Sequence, residues 1–82
     1  IYFNRGTTRY DLGDKQGAIT DYTQALRIDS NNDVAYNNRG LSRYELGDQG
    51  GAIMDFNNAL QLNPENAIAY FNRAAARTDL GD

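Results

Sequence analysis

Residues 2–26 read YFNRGTTRYDLGDKQGAITDYTQAL, and residues 36–60 read YNNRGLSRYELGDQGGAIMDFNNAL. Tyr2, Asn4, Arg5, Gly6, Arg9, Tyr10, Leu12, Gly13, Asp14, Gly17, Ala18, Ile19, Asp21, Ala25 and Leu26 recur 34 positions later. Their copies are Tyr36, Asn38, Arg39, Gly40, Arg43, Tyr44, Leu46, Gly47, Asp48, Gly51, Ala52, Ile53, Asp55, Ala59 and Leu60. A partial third copy holds Tyr70, Asn72, Arg73, Arg77, Leu80, Gly81 and Asp82. Self-similarity at a period of about 20–50 residues marks a solenoid or array, in which each unit packs only on its neighbours. The repeat predicts a scaffold that binds something and leaves the ligand open.

Each unit reads as two helices joined by short turns. In the second unit, Tyr36, Gly40, Leu41 and Tyr44 recur at the three- and four-residue spacing of one helix face, over about 33–46. Gly47 supplies a left-handed stop, and Asp48 is the N-cap of the next helix. That helix, about 49–62, carries Ala52, Ile53, Phe56, Ala59, Leu60 and Leu62 on one stripe. Pro64 ends it, and Asn66 caps a helix over about 67–80. The first unit repeats the plan over about 1–12 and 15–28. The expected fold is all-α, with five helices, each antiparallel to its sequence neighbours because the turns are short. Small residues stack in columns (Gly6, Gly40, Ala74; Ala18, Ala52; Ala25, Ala59), leaving holes for Tyr22 and Phe56. Gly17, Gly50 and Gly51 weaken the first turns of the second helices, and tolerance on an outer face is the expected reason.

Composition narrows the function. The 82 residues carry a net charge of −3, with no Cys and no His. The acidic balance disfavours nucleic acid and anionic membrane as partners. No apolar run approaches the ~18 residues of a membrane span. Without Cys or His there is no basis for thiolate or imidazole chemistry, and neither a cofactor nor a metal is expected. The carboxylate pairs Asp11/Asp14 and Asp79/Asp82 sit at helix ends, where turn and cap duties account for them. A repeated residue also makes a poor catalytic candidate, so no enzyme is expected.

The aromatic at Tyr2, Tyr36 and Tyr70, the small residue at Gly6, Gly40 and Ala74, the Gly-Asp turn, the Ala-Ile pair, Tyr22 and Phe56, the Ala-Leu pair and Pro64 together resemble the tetratricopeptide repeat, or TPR. The resemblance covers the whole chain, as about two and a half repeats of a longer array: 1–32, 33–66, and the first helix of a third over 67–82. It implies a right-handed solenoid of helix pairs, with the first helices lining a concave groove and the second helices forming the convex back. It implies a protein-interaction scaffold that holds an extended peptide of a partner protein. The departures are Arg5, Arg39 and Arg73 where the family most often has Leu, and Arg9, Arg43 and Arg77 where it often has Tyr. Lys15 and Gln49 replace an aromatic, and Ser30 stands in the place of Pro64.

Residues 34 apart line up into columns across a stacked array. Asn4, Asn38 and Asn72 form one, and an Asn amide is donor and acceptor together, able to hold successive backbone amides of an extended peptide. The family contains such a ladder gripping substrate peptides. Flanking groove columns are Phe3, Asn37 and Phe71; Thr7, Leu41 and Ala75; and Tyr10, Tyr44 and Thr78; with Asp11, Glu45 and Asp79 at the rim. Apolar pockets with an acidic edge suit a peptide bearing aliphatic and basic side chains. The alternative for Tyr10 and Tyr44 is packing.

Six of the eight basic residues are the Arg pairs 5/9, 39/43 and 73/77, spaced i, i+4 on one face. Asp21 and Asp55 recur on the second helices, so partly buried Arg–Asp bridges between helices are predicted, setting register more than adding stability. The family's chaperone-tail clamp of Lys, Asn, Asn, Lys and Arg falls on Phe3, Thr7, Asn38, Ile68 and Asn72. Only Asn38 matches, so chaperone-tail binding is not expected. The third unit has no second helix behind it, which predicts exposed Ala74, Ala75 and Ala76 and weak end-to-end self-association. The functional alternative is an architectural spacer or self-assembly element with repeat-to-repeat contacts only.

Overall fold

The computed structural model describes residues 1–81. Asp82, the last residue of the third copy and one member of the Asp79/Asp82 pair, lies outside them. The helices are α1 (Tyr2–Asp11), α2 (Lys15–Ile28), α3 (Asp33–Glu45), α4 (Gln49–Leu62) and α5 (Ala67–Asp79), within a residue or two of the expected bounds.

The turns inside each unit are built by three residues. Gly13 and Gly47 take φ of +88° and +93°, which a side chain would strain. Gly13 N–H then donates to Tyr10 C=O at 2.9 Å and Asp14 N–H to Arg9 C=O at 2.8 Å, satisfying the last carbonyls of α1. Asp14 at once turns round to cap α2, accepting from Gly17 N–H at 2.9 Å. Asp48 does the same for α4 with Gly51 N–H at 3.0 Å. The tolerance expected at Gly17 and Gly51 is corrected here: a Cβ would lie 2.1 Å and 2.3 Å from the capping carboxylates. Of these three glycines, Gly50 has open space.

The turns between units use Asx chemistry. Asp29 accepts from Asn31 N–H at 3.0 Å and Asn63 from Glu65 N–H at 3.2 Å. Asn32 and Asn66 then cap α3 and α5. The same turn forms with Ser30 as with Pro64, because the side chain before it closes it in both cases.

Packing follows the small-residue columns. Tyr22 and Phe56 are fully buried, each over the glycine of the preceding helix. Ala18, Tyr22, Leu26 and Ala35 form one core cluster, with Phe3, Tyr10 and Tyr36 packed on it. Ala52, Phe56 and Ala76 form a second, flanked by Tyr44 and Ile53. The expectation for the alanines of α5 holds only in part. Ala74 is exposed, but Ala75 is half-buried and Ala76 is wholly buried against α4. The face of α5 that rests on α4 is set by the hundred-degree step between successive residues, so neighbours in sequence diverge.

The solenoid curves because its two layers are unequal. α1 touches α3 and α3 touches α5, whereas no contact joins α2 to α4. The first helices therefore line the inside of the curve. Among the described residues, no helix is long and apolar enough to cross a membrane.

Candidate functional site

The inner face carries a pocket of about 200 Å³ lined by Thr7, Tyr10, Asp11, Tyr22, Asn38 and Leu41. α1 supplies three of these and α3 two, so the pocket exists only because consecutive repeats stack. The architecture gathers four expected groove residues here: Thr7, Tyr10, Asn38 and Leu41. The sequence predicts only a packing role for Tyr22. Its ring is buried, yet its hydroxyl meets Thr7 Oγ1 at 2.9 Å and forms part of the lining. The i+34 pattern could not signal this, since Phe56 has no hydroxyl.

The asparagine column is uneven. Asn4 is exposed and Asn38 half-buried in the pocket wall, and neither side chain bonds to another described residue. Asn72 is half-buried and its Nδ2 donates to Asn37 Oδ1 at 3.3 Å. Asn37 itself is only 6% exposed. It ties α3 to α5 from below and does not stand open in the groove as its column implied. Phe3 and Phe71, its neighbours in that column, part company too. Phe3 packs on Tyr22 with centroids 5.8 Å apart, whereas Phe71 is 75% exposed.

The tyrosines at the rim link one repeat to the next. Tyr10 Oη donates to Glu45. Burial first, and then this bond, push the Tyr10 phenol up to about 12. The Asp79 carboxylate, 34 residues on from Glu45, raises the Tyr44 phenol as well. Ala75 is half-buried and Thr78 exposed, its hydroxyl donating back to Ala74 C=O at 2.9 Å.

The arginines lie on the opposite flank of the first helices and are structural. Arg5 donates from Nε and Nη2 to both oxygens of Asp21, at 3.0 and 2.8 Å, with Arg9 Nη1 at 3.5 Å. Arg39 makes the same fork to Asp55, at 3.0 and 2.7 Å, and Arg43 adds a bond at 2.9 Å. The first arginine of each pair lies over an aromatic face: Arg5 over Tyr2, Arg39 over Tyr36 and Arg73 over Tyr70, at 5.3–5.5 Å. Arg39 Nη1 also reaches back to Thr23 Oγ1 at 3.2 Å, and Arg73 Nη1 to Asn57 Oδ1 at 2.8 Å. The guanidinium of Arg39 thus bridges the second helices of two repeats.

The fork to Arg5 holds the Asp21 carboxyl below its ordinary range, against the opposing effect of burial. A depressed folded pKa adds stability that is complete above the ordinary value, ~3.9, and is lost as pH falls through the depressed one. Stability is therefore expected to decline in acid below about pH 4. Asp21→Asn should flatten that decline in urea titrations run between about pH 2 and 5. Equal acid slopes for the two proteins would contradict the assignment.

The model of the TPR repeat matches residues 6–47 and again 40–81. Among solved structures, the second TPR of Spaghetti (RPAP3), bound to the HSP90 peptide SRMEEVD, superposes with a TM-score of 0.96 at 28% identity, over 98% of this chain and 74% of that one. The TPR domain of Arabidopsis OM64 superposes at 0.92 with 36% identity, over 95% and 64%. The second TPR domain of human RPAP3, in complex with the HSP70 peptide SGPTIEEVD, gives 0.94 at 28% identity, over 98% and 67%. The chain thus spans about two thirds to three quarters of the length of these domains. A search of curated proteins finds no sequence match. With the period, the paired helices and the packed columns all in agreement with these matches, the chain belongs to the tetratricopeptide repeat family.

Proposed function

We propose that the chain is a protein-interaction module, without catalysis of its own, that holds an extended peptide segment of a partner protein along the groove lined by α1, α3 and α5. The observation that carries this reading is the pocket at Asn38. It combines an apolar wall with a half-buried amide that no described residue engages. Such an amide can donate to one peptide carbonyl and accept from one peptide N–H. Asn4 and the free acceptor side of Asn72 would continue the ladder on either side. The structures with bound HSP90 and HSP70 peptides support peptide binding as what this fold does.

The test is a peptide-library binding screen with Asn38→Ala run beside the parent. Loss of the backbone contacts should weaken the hits by about fivefold to tenfold, the equivalent of roughly 1–1.5 kcal/mol. Helicity by circular dichroism should not change, because Asn38 supports no other side chain. Hits that bind both proteins equally would remove Asn38 from the site.

A second reading, self-assembly, is favoured by the exposed apolar side chains of α5. Ile68 and Phe71 are 65% and 75% exposed there, beside exposed Tyr70 and Ala74. A monomer whose sedimentation is independent of concentration would set this reading aside.

A further inference from the structure

We propose that the pocket between α1 and α3 receives a lysine or arginine side chain of the bound peptide, so that this groove selects basic segments. The proposal rests on the groove reading above and names its ligand class. The volume, about 200 Å³, is room for one long side chain. Its walls suit the methylene stem of such a side chain: the Tyr10 and Tyr22 rings, Leu41 and the methyl of Thr7. Asp11 lies at the mouth, exposed, and accepts no hydrogen bond from the described residues. Glu45 is the next carboxylate along the rim, brought in by Tyr10 Oη. The half-buried Tyr10 ring adds an attractive face for a cation.

The rest of the charge distribution points the same way. No cation is among the residues that line the pocket. Arg5, Arg9, Arg39 and Arg43 are bound to Asp21 and Asp55 on the other flank, and Arg73 is bound to Asn57. The rim carries Asp11, Glu45 and Asp79, none of which forms an ion pair with a described base. The peptides on the similar TPR domains, SRMEEVD and SGPTIEEVD, end in a run of carboxylates. Brought into this groove, such a tail would meet like charge, whereas a lysine would meet its complement.

The test uses a fluorescein-labelled peptide, GSLKLSG, with its norleucine and glutamate analogues at the lysine, and unlabelled SGPTIEEVD as competitor. The lysine peptide is expected to bind about threefold to fivefold more tightly than the norleucine analogue, the range of a solvent-accessible ion pair. The glutamate analogue should be weaker than the lysine peptide by about tenfold or more. Asp11→Asn should bring the lysine peptide down to the norleucine level, with unchanged helicity, and high salt should narrow the gap between the two peptides. Equal binding of lysine and glutamate peptides, or displacement by SGPTIEEVD, which has no basic side chain, would overturn the charge preference. If that binding still fell with Asn38→Ala, the groove reading alone would stand. Absence of binding by every peptide would overturn both.

Discussion

Asp55→Ala should come close to unfolding the chain. The Asp55 carboxylate is 2% exposed and takes bonds from two guanidinium groups, Arg39 at 14% and Arg43 at 28% exposure. Removing one partner of a buried pair leaves charge without compensation, a loss of about 3–5 kcal/mol. A chain of this length has a total stability on the order of 4–12 kcal/mol. Asp21→Ala removes the same chemistry from the first repeat, but Arg5 and Arg9 are 50% and 39% exposed there and can return to water. Screening and rehydration should hold that loss to about 1–2 kcal/mol. Urea unfolding followed by circular dichroism measures both. The diagnostic result is the difference: equal losses would mean that burial of the guanidinium groups is not what makes the second socket stronger.

Gly40→Ala should also destabilise, and the sign depends on two competing effects. Alanine in place of glycine favours an isolated helix by about 1 kcal/mol. Against this, the new Cβ would lie 2.7 Å from Phe56 Cε1 and 3.0 Å from Asp55 Cβ. Phe56 is fully buried and cannot swing away, and the Asp55 Cβ moves only with the α4 backbone. Overpacking of this kind costs about 1–3 kcal/mol, so the net loss should be near 1–2 kcal/mol. At Gly6 the corresponding distances are 3.0 Å to Tyr22 Cε1 and 3.2 Å to Asp21 Cβ. A few tenths of an ångström of yielding suffices there, and Gly6→Ala should lie near zero. Thermal melts of the two variants check the order; a more stable Gly40→Ala would show that α3 and α4 separate freely, contrary to the packing described.

The two predictions depend on one architectural fact, the stacking of α3 and α4 over Gly40, which the sequence announces by its column of small residues. Much else was legible in the same way. The Gly-Asp turns, the Asn and Asp caps and the holes for Tyr22 and Phe56 depend on contacts within one unit, where local spacing decides geometry. The Arg–Asp pairs were legible because opposite charges recur in step. The candidate site was only partly so. Thr7, Tyr10, Asn38 and Leu41 meet around one pocket, but Asn37 is buried, Phe3 and Phe71 differ in exposure, and Tyr22 enters the lining unannounced.

The sequence by itself determined the period, the helix bounds, the turns and the Arg–Asp pairing, because each follows from residues a turn or two apart or from a repeated offset of 34. The tertiary structure alone decided which members of a column are equivalent in exposure. A residue on a stacked helix is covered by neighbours from the repeats on either side, so the same position is open in one unit and closed in the next. It also decided the bonds that cross repeats, Tyr10 to Glu45, Asn72 to Asn37 and Arg39 to Thr23. These depend on the tilt between successive helix pairs, a quantity set by how all the side chains of an interface pack together and carried by no single residue.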